Sequence, residues 1–264
     1  MKFEEKRVLL TGASGGLGRT IARELARRGA HLILTGRNTS ALDALTRECD
    51  SEVVAADLAE PDAAVRLVDA AGRIDIVVAN AGLPCSGLLT ELSITDIDRA
   101  IDVNLRSHMI IARQVIGGMR ERRSGHLVFM SSLSGKTAAP RSSVYSATKF
   151  ALRGFSLALR EELRNDGIGV SAIFPGFIRD AGLFADAGSI RLPRFVGISS
   201  PEDVAAAVVR AVRGNVCEID VASASLRIGA RFATVVPEFA AVVQRRFGAD
   251  RITAELAAGQ TGKR

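Results

Sequence analysis

Short runs of β-branched and aliphatic residues alternate with stretches whose apolar residues recur at helical spacing, and this alternation restricts the fold more than any other feature. The runs are Val8-Leu9-Leu10, Leu32-Ile33-Leu34, Val53-Val54-Ala55, Ile76-Val77-Val78, Leu127-Val128-Phe129 and Val170-Ser171-Ala172-Ile173-Phe174. Helical patterns such as Leu17 to Arg28 and Ile94 to Arg120 lie between them. Runs that are apolar throughout suit strands buried on both faces, as in a parallel sheet covered by helices. A seventh strand is expected at Cys217 to Val221, after a helix opened by Ser200-Pro201-Glu202-Asp203, where Ser caps and Pro takes the first helical position. The expected fold class is α/β, a doubly wound parallel sheet.

Composition agrees with that class. The 264 residues are 47% hydrophobic with 5% aromatics and no Trp, so the interior must be built from Ala, Val, Leu and Ile. Cys49, Cys85 and Cys217 are odd in number and lack ligand spacing, and they read as small buried hydrophobes. His31, His108 and His126 are scattered too, so no metal site is expected. The net charge of +6 comes mostly from isolated arginines on helical patterns, which read as solvated helix faces rather than a nucleic-acid surface. The charged N-terminus runs straight into the first strand without a signal-peptide core, and the longest uncharged stretch, Ile76 to Thr90, is too short to span a bilayer. A cytoplasmic location is expected.

Directly after the first strand comes Thr11-Gly12-Ala13-Ser14-Gly15-Gly16-Leu17-Gly18, and a helix starts within it. A turn this tight needs residues without a Cβ, and a helix N-terminus presents free N–H groups and a positive dipole end to phosphate. The spacing Gly-x-x-x-Gly-x-Gly differs from the Gly-x-Gly-x-x-Gly of the commonest dinucleotide folds. Further along, in order, stand Asp57 after the third strand, Asn80-Ala81-Gly82 closing the fourth, Asn104 in a long helix, and the set Ser132, Tyr145 and Lys149. Together these resemble the motifs of the classical short-chain dehydrogenases/reductases, over roughly residues 6 to 213.

The resemblance implies a Rossmann-type unit over residues 1–222, with a substrate lid at about 177–200, and an oxidoreductase moving hydride between a nicotinamide and a carbonyl or alcohol. It implies that Gly12, Gly16 and Gly18 shape the phosphate turn, that Asp57 accepts from the adenine amino group, and that Asn80 braces the central strand beside a ribose. It also puts Ser14, Leu17, Leu58, Ala81, Gly82, Pro175, Gly176 and Ile178 against the cofactor. The second strand ends in Thr35-Gly36-Arg37-Asn38. A free 2′-hydroxyl calls for a carboxylate there and a 2′-phosphate for a guanidinium, so Gly36 followed by Arg37 points to NADP(H) over NAD(H).

Tyr145 and Lys149 are four residues apart and share a helix face. A free phenol is a weak acid–base catalyst near neutrality, and a nearby ammonium favours its phenolate. The family mechanism then implies that Tyr145 exchanges a proton with the substrate oxygen and Ser132 hydrogen-bonds that oxygen. Lys149 also holds the nicotinamide ribose, and Asn104 kinks its helix and orders water. Tyr145 is the only tyrosine, and spacing to it selects Ser132 over Ser131.

Two regions depart from the pattern. Asp180 stands where Thr is usual after Pro175-Gly176-Phe177-Ile178-Arg179. The lid carries Leu183, Phe184, Ile190, Leu192, Phe195, Val196 and Ile198, which suggests a hydrophobic substrate. Arg179, Arg191 and Arg194 leave open an anionic or carrier-linked 3-oxoacyl substrate, and a catalytically silent NADP(H)-sensing regulator is the reading from another class. Residues 223–264 read as a helical extension of two helices, the second opened by Pro237 and ended by Gly248, with Phe232, Val235, Val236, Phe239, Val242 and Val243 on one stripe. Seven Lys or Arg against three Asp or Glu lie in 222–264. This stripe is expected to pack on the chain's own core or in a homodimer or larger assembly, with peripheral membrane contact as the other reading.

Overall fold

The computed structural model describes residues 1–264 apart from 186, 188–191, 193–195, 247, 261, 263 and 264. Seven strands run β1 (Arg7–Thr11), β2 (His31–Thr35), β3 (Glu52–Val53), β4 (Ile76–Ala79), β5 (Gly125–Met130), β6 (Ile168–Pro175) and β7 (Glu218–Val221). They form one sheet in the order β3-β2-β1-β4-β5-β6-β7, with every pair parallel. Seven strands appear at the seven expected places, although β3 keeps only two residues. Chain direction across the sheet reverses between β1 and β4, and in open α/β sheets ligands bind in the crevice at that point.

The helices are α1 (Gly16–Ala26), α2 (Thr39–Cys49), α3 (Ala63–Ala71), α4 (Ile94–Ile101), α5 (Ser107–Glu121), α6 (Ser143–Glu162), α7 (Gly182–Ala185), α8 (Pro201–Gly214), α9 (Ala224–Val235), α10 (Pro237–Arg246) and α11 (Ala249–Gly259). Successive strand residues feed opposite faces. Val8 and Leu10 of β1 join the residues of α1, α2 and α8, and Leu9 joins those of α3, α5 and α6. All eight residues of β6 are buried, which accounts for its unbroken apolar run. Ser200 caps α8 reciprocally with Asp203, its Oγ accepting from the Asp203 N–H at 3.1 Å.

The long helix expected over 94–120 is interrupted. A π turn at Asp102–Arg106 separates α4 from α5, and Asn104 lies inside it. Such single-turn expansions re-aim a side chain without ending the helix.

The C-terminal region differs from expectation in its number of helices and narrows the expected covers of its stripe. It holds three helices rather than two, because Gly248, in the left-handed region at φ +79°, ends α10 and serves as the N-cap of α11. Among the described residues, the chain's own core does not cover the apolar stripe, which leaves the subunit contact of the two packing expectations. Val235 is 79% exposed and Phe239 57%, whereas the small residues Ala230, Ala233 and Ala240 make the inward contacts. Among the described residues, no helix is long and apolar enough to cross a membrane.

Candidate active site

The turn between β1 and α1 is held open by glycine geometry. Gly12 sits at φ +66°, and a Cβ on Gly18 would overlap the Gly12 carbonyl. The N-cap Gly15 makes no side-chain cap and the first turn of α1 carries no acidic residue, so its N–H groups and dipole are free for an anion. That cradle fits a dinucleotide pyrophosphate. Asn80 braces it from β4, donating from Nδ2 to the carbonyls of Thr11 at 3.1 Å and Gly12 at 3.3 Å. Thr11, given no role by the sequence reading, closes the same link: its Oγ1 accepts from the N–H groups of Asn80 and Ala81, both at 2.9 Å.

At the β2 end of the cleft, a Cβ at position 36 would come within 2.8 Å of the Ser14 Oγ, a contact that rotation of the serine hydroxyl can relieve. Arg37 follows Gly36, 56% exposed, with Nη1 3.9 Å from the Asp57 carboxylate. Asp57 accepts from the Ala59 N–H at 3.1 Å and from Arg99 at 3.0 Å. Arg99 was not singled out in the sequence, and only the turn of α4 toward Asp57 reveals it.

Ser132 follows β5 at the start of a short turn, and α6 brings Tyr145 and Lys149 to the same wall. Ser131, beside Ser132 on the same cleft, is buried and donates its hydroxyl to the Lys149 carbonyl at 3.1 Å. The Ser132 Oγ accepts from the Ser134 N–H at 3.1 Å. Lys149 is buried, donates to the Met130 carbonyl at 2.9 Å, and stands 5.7 Å from the Tyr145 ring centre. Asn104 is fully buried behind this wall. It clamps the Leu83 backbone, Oδ1 accepting from its N–H at 2.7 Å and Nδ2 donating to its carbonyl at 2.9 Å, and reaches Thr148 at 3.3 Å.

The electrostatics differ from the expectation of an ammonium-lowered phenol. The Tyr145 ring keeps partial exposure on the cleft wall, but desolvation pushes its hydroxyl up to about 12, with the Ser132 hydrogen bond opposing. Burial likewise lowers Lys149 to about 8. Desolvation penalises whichever form is charged, so it raises the phenol and weakens the neighbouring cation together. The Tyr145 hydroxyl therefore stays protonated near neutrality.

After β6, Phe177 and Phe184 meet edge to face at 4.9 Å, and Gly16 lies so close to Ala181 that a Cβ would approach its Cβ to 2.7 Å. Asp180, at φ +59°, turns outward to pair with Arg179 at 3.3 Å. Of the expected lid residues, Ile190, Phe195, Arg191 and Arg194 lie outside the described residues. Gly12, Ser14, Gly16, Leu17, Gly18, Arg37, Asp57, Leu58, Asn80, Ala81, Gly82, Ser132, Tyr145, Lys149, Pro175, Gly176 and Ile178 line one cleft of about 490 Å³, a size suited to a small-molecule ligand. Leu83, Leu183, Phe184 and Gly262 join them.

The sequence matches the family model described as short chain dehydrogenase over residues 6–189. It is 35% identical over 226 residues to "Ketoacyl reductase HetN" of Nostoc sp., covering 81% of this chain and 77% of that protein. It is 35% identical over 176 residues to "3-oxoacyl-[acyl-carrier-protein] reductase FabG" of Rickettsia conorii, covering 66% and 73%. A crystal structure of "a putative betaketoacyl-ACP reductase" superposes with TM-score 0.76 at 26% identity, covering 83% of this chain and 97% of that one. The chain belongs to the short-chain dehydrogenase family of NAD(P)H-dependent oxidoreductases.

Proposed function

We propose that this chain reduces the 3-oxo group of a carrier-linked acyl thioester with NADPH. The observation that carries the reading is the meeting, in one cleft, of the phosphate-shaped turn at Gly12–Gly18 with the Ser132, Tyr145 and Lys149 wall. The likeness to two ketoacyl reductases supports the substrate class over the hydrophobic ketone favoured by the lid composition. When bound, NADPH supplies the hydride to the carbonyl carbon. Tyr145 and Ser132 hold the carbonyl oxygen, and as its π electrons move onto oxygen Tyr145 gives up its proton. Lys149 holds the nicotinamide ribose and favours the phenolate left behind, while Asn104 fixes the Leu83 loop and orders water beside Lys149.

The test is a panel of 3-oxoacyl thioesters, hydrophobic ketones and aldehydes, followed by loss of NADPH absorbance. Thioesters are expected to lead by at least about tenfold in kcat/KM. Leading ketones return the hydrophobic-carbonyl reading, and tight NADPH binding without turnover favours the sensor. With the same panel, NADPH should bind at least about tenfold tighter than NADH, or about 1.4 kcal/mol, and Arg37→Asp should erase that difference. Equal affinities in the unaltered protein would remove Arg37 from the 2′-phosphate site.

We further place the protein in the cytoplasm as a homodimer or larger homo-oligomer. Supporting the assembly, the open stripe Phe232, Val235, Val236, Phe239 and Val242 needs a cover that the described residues of one chain do not supply. Light scattering on the full chain is expected to give at least a dimer. A monomer that floats with anionic liposomes in a salt-sensitive manner would instead assign the stripe and its Arg227, Arg231, Arg245 and Arg246 to a membrane surface.

A further inference from the structure

The C-terminal end of α11 reaches the substrate end of the cleft, 77 residues from one rim in sequence and 174 from the other. One rim is the segment after β4, where Leu83 and Pro84 line the cleft and Ser86 follows. The opposite rim is α7, with Leu183 and Phe184. The Gln260 carboxamide bridges them: Oε1 accepts from the Ser86 hydroxyl at 2.7 Å, and Nε2 donates to the Leu183 carbonyl at 2.7 Å. Because a backbone carbonyl can only accept, the nitrogen must face Leu183, which leaves the oxygen for Ser86. Both side chains are buried, Gln260 at 5% exposure and Ser86 at 7%.

Neighbouring residues make the approach possible. A Cβ on Gly259 would overlap the Ala187 backbone, so α11 lies directly against the lid, and Gly262 beyond it lines the cleft. Ile252, Thr253 and Ala257 bury the inner face of α11 independently of Gln260. Gln260 and the rest of α11 fall after residue 189, where the family match ends, whereas Ser86, Leu183 and Ala187 fall within it.

We propose that Gln260 is a positioning residue for substrate: its carboxamide latches the two rims together and holds Leu183 and Phe184 over the acyl portion of the bound carbonyl compound. This rests on the reductase reading for its substrate and on geometry alone for the latch. No shorter or charged side chain replaces it. Alanine removes both bonds, leaving the buried Ser86 hydroxyl only its 3.5 Å contact with the Pro84 carbonyl and taking the donor from the half-buried Leu183 carbonyl, and glutamate sets a carboxylate against the Leu183 carbonyl.

Amide hydrogen exchange of the full chain with NADPH, read over residues 83–88 and 182–185, tests the latch without any substrate. Gln260→Ala is expected to speed exchange in both segments by about tenfold or more. Against the best substrate of the carbonyl panel, the same variant should raise KM by about fivefold or more with kcat within about twofold. Ser86→Ala should raise KM similarly, and the double variant should be no worse than Gln260→Ala, since both cut one link. Wild-type exchange in either segment, faster exchange with unchanged KM, or additive effects of the two substitutions would overturn the proposal. Should Gln260→Ala not fold, Ser86→Ala carries both measurements. If the wild type reduces no member of the panel, the reductase reading fails while the exchange measurement still decides the latch.

Discussion

Replacing Tyr145 by Phe is expected to lower turnover by on the order of 10²-fold or more while leaving NADPH affinity nearly unchanged. That loss is about 2.7 kcal/mol of barrier, the scale of one positioned proton donor. The phenyl ring keeps the shape of the wall and loses only the hydroxyl. Lys149→Ala should damage both activity and cofactor binding, because in the proposed mechanism this buried ammonium beside Tyr145 also holds the nicotinamide ribose. The pH profile separates the two groups. Reduction needs a protonated Tyr145 and a charged Lys149; Lys149 titrates at about 8 and Tyr145 at about 12, so log kcat/KM should fall above about pH 8. Lys149→Arg should move that alkaline limb upward, since a guanidinium stays charged. Near-normal turnover in Tyr145→Phe would place the proton donor elsewhere.

The sheet was legible because its central strands β4, β5 and β6 are buried on both faces and therefore read as mostly apolar runs between helical patterns, while the edge strands β3 and β7 are only partly buried. The site was legible where one short segment carries the geometry: the glycines after β1, and Tyr145 with Lys149 one turn apart on α6. It was not legible where the partner lies far along the chain. Thr11 joins Asn80 and Ala81, Arg99 joins Asp57, and Gln260 joins Ser86 and Leu183, and no local period marks any of these links. The π turn at Asn104 is equally silent, since its residues keep helical spacing and only the clamp on Leu83 shows the expansion. The last helix was missed because Ala249–Gly259 buries Ile252, Thr253 and Ala257, too small a stripe to stand out beside the exposed Phe and Val before it. Desolvation around Tyr145 also escaped the sequence, because spacing places an ammonium near a phenol but says nothing of the water removed from both.

Lowering the pH from 7 to 5 is expected to remove about 4 kcal/mol of folding stability, through two histidines that the chemistry does not use. His108 is fully buried on α5, one turn beyond Asn104, and neither ring nitrogen makes a well-formed hydrogen bond. Burial, with the Lys149 charge adding to it, lowers His108 to about 3, and the nearby backbone of Asn104 and Ala81 offsets this only in part. His126 on β5 is held at 2.9 Å from the Ser171 hydroxyl, and burial lowers it to about 3 as well. In the unfolded chain each imidazole binds its proton near pH 6.5, so between about 6.5 and 3 the unfolded state carries more protons and stability falls as pH falls. Each histidine then contributes a loss of about 1.4 kcal/mol per pH unit, or about 2 kcal/mol by pH 5, against a total stability of about 5–15 kcal/mol. Carboxylates enter later. Glu218 is held low by Arg153 and Lys136 despite the opposing effect of burial, so its stabilisation is present above the ordinary carboxylate range and drains away only at more acid pH. Urea unfolding at pH 7, 6 and 5 at fixed ionic strength measures the slope, and His108→Leu should remove about half of it. A stability independent of pH across that window would mean that both imidazoles take up protons inside the folded chain, and that the wall behind Lys149 is wetter than its packing implies.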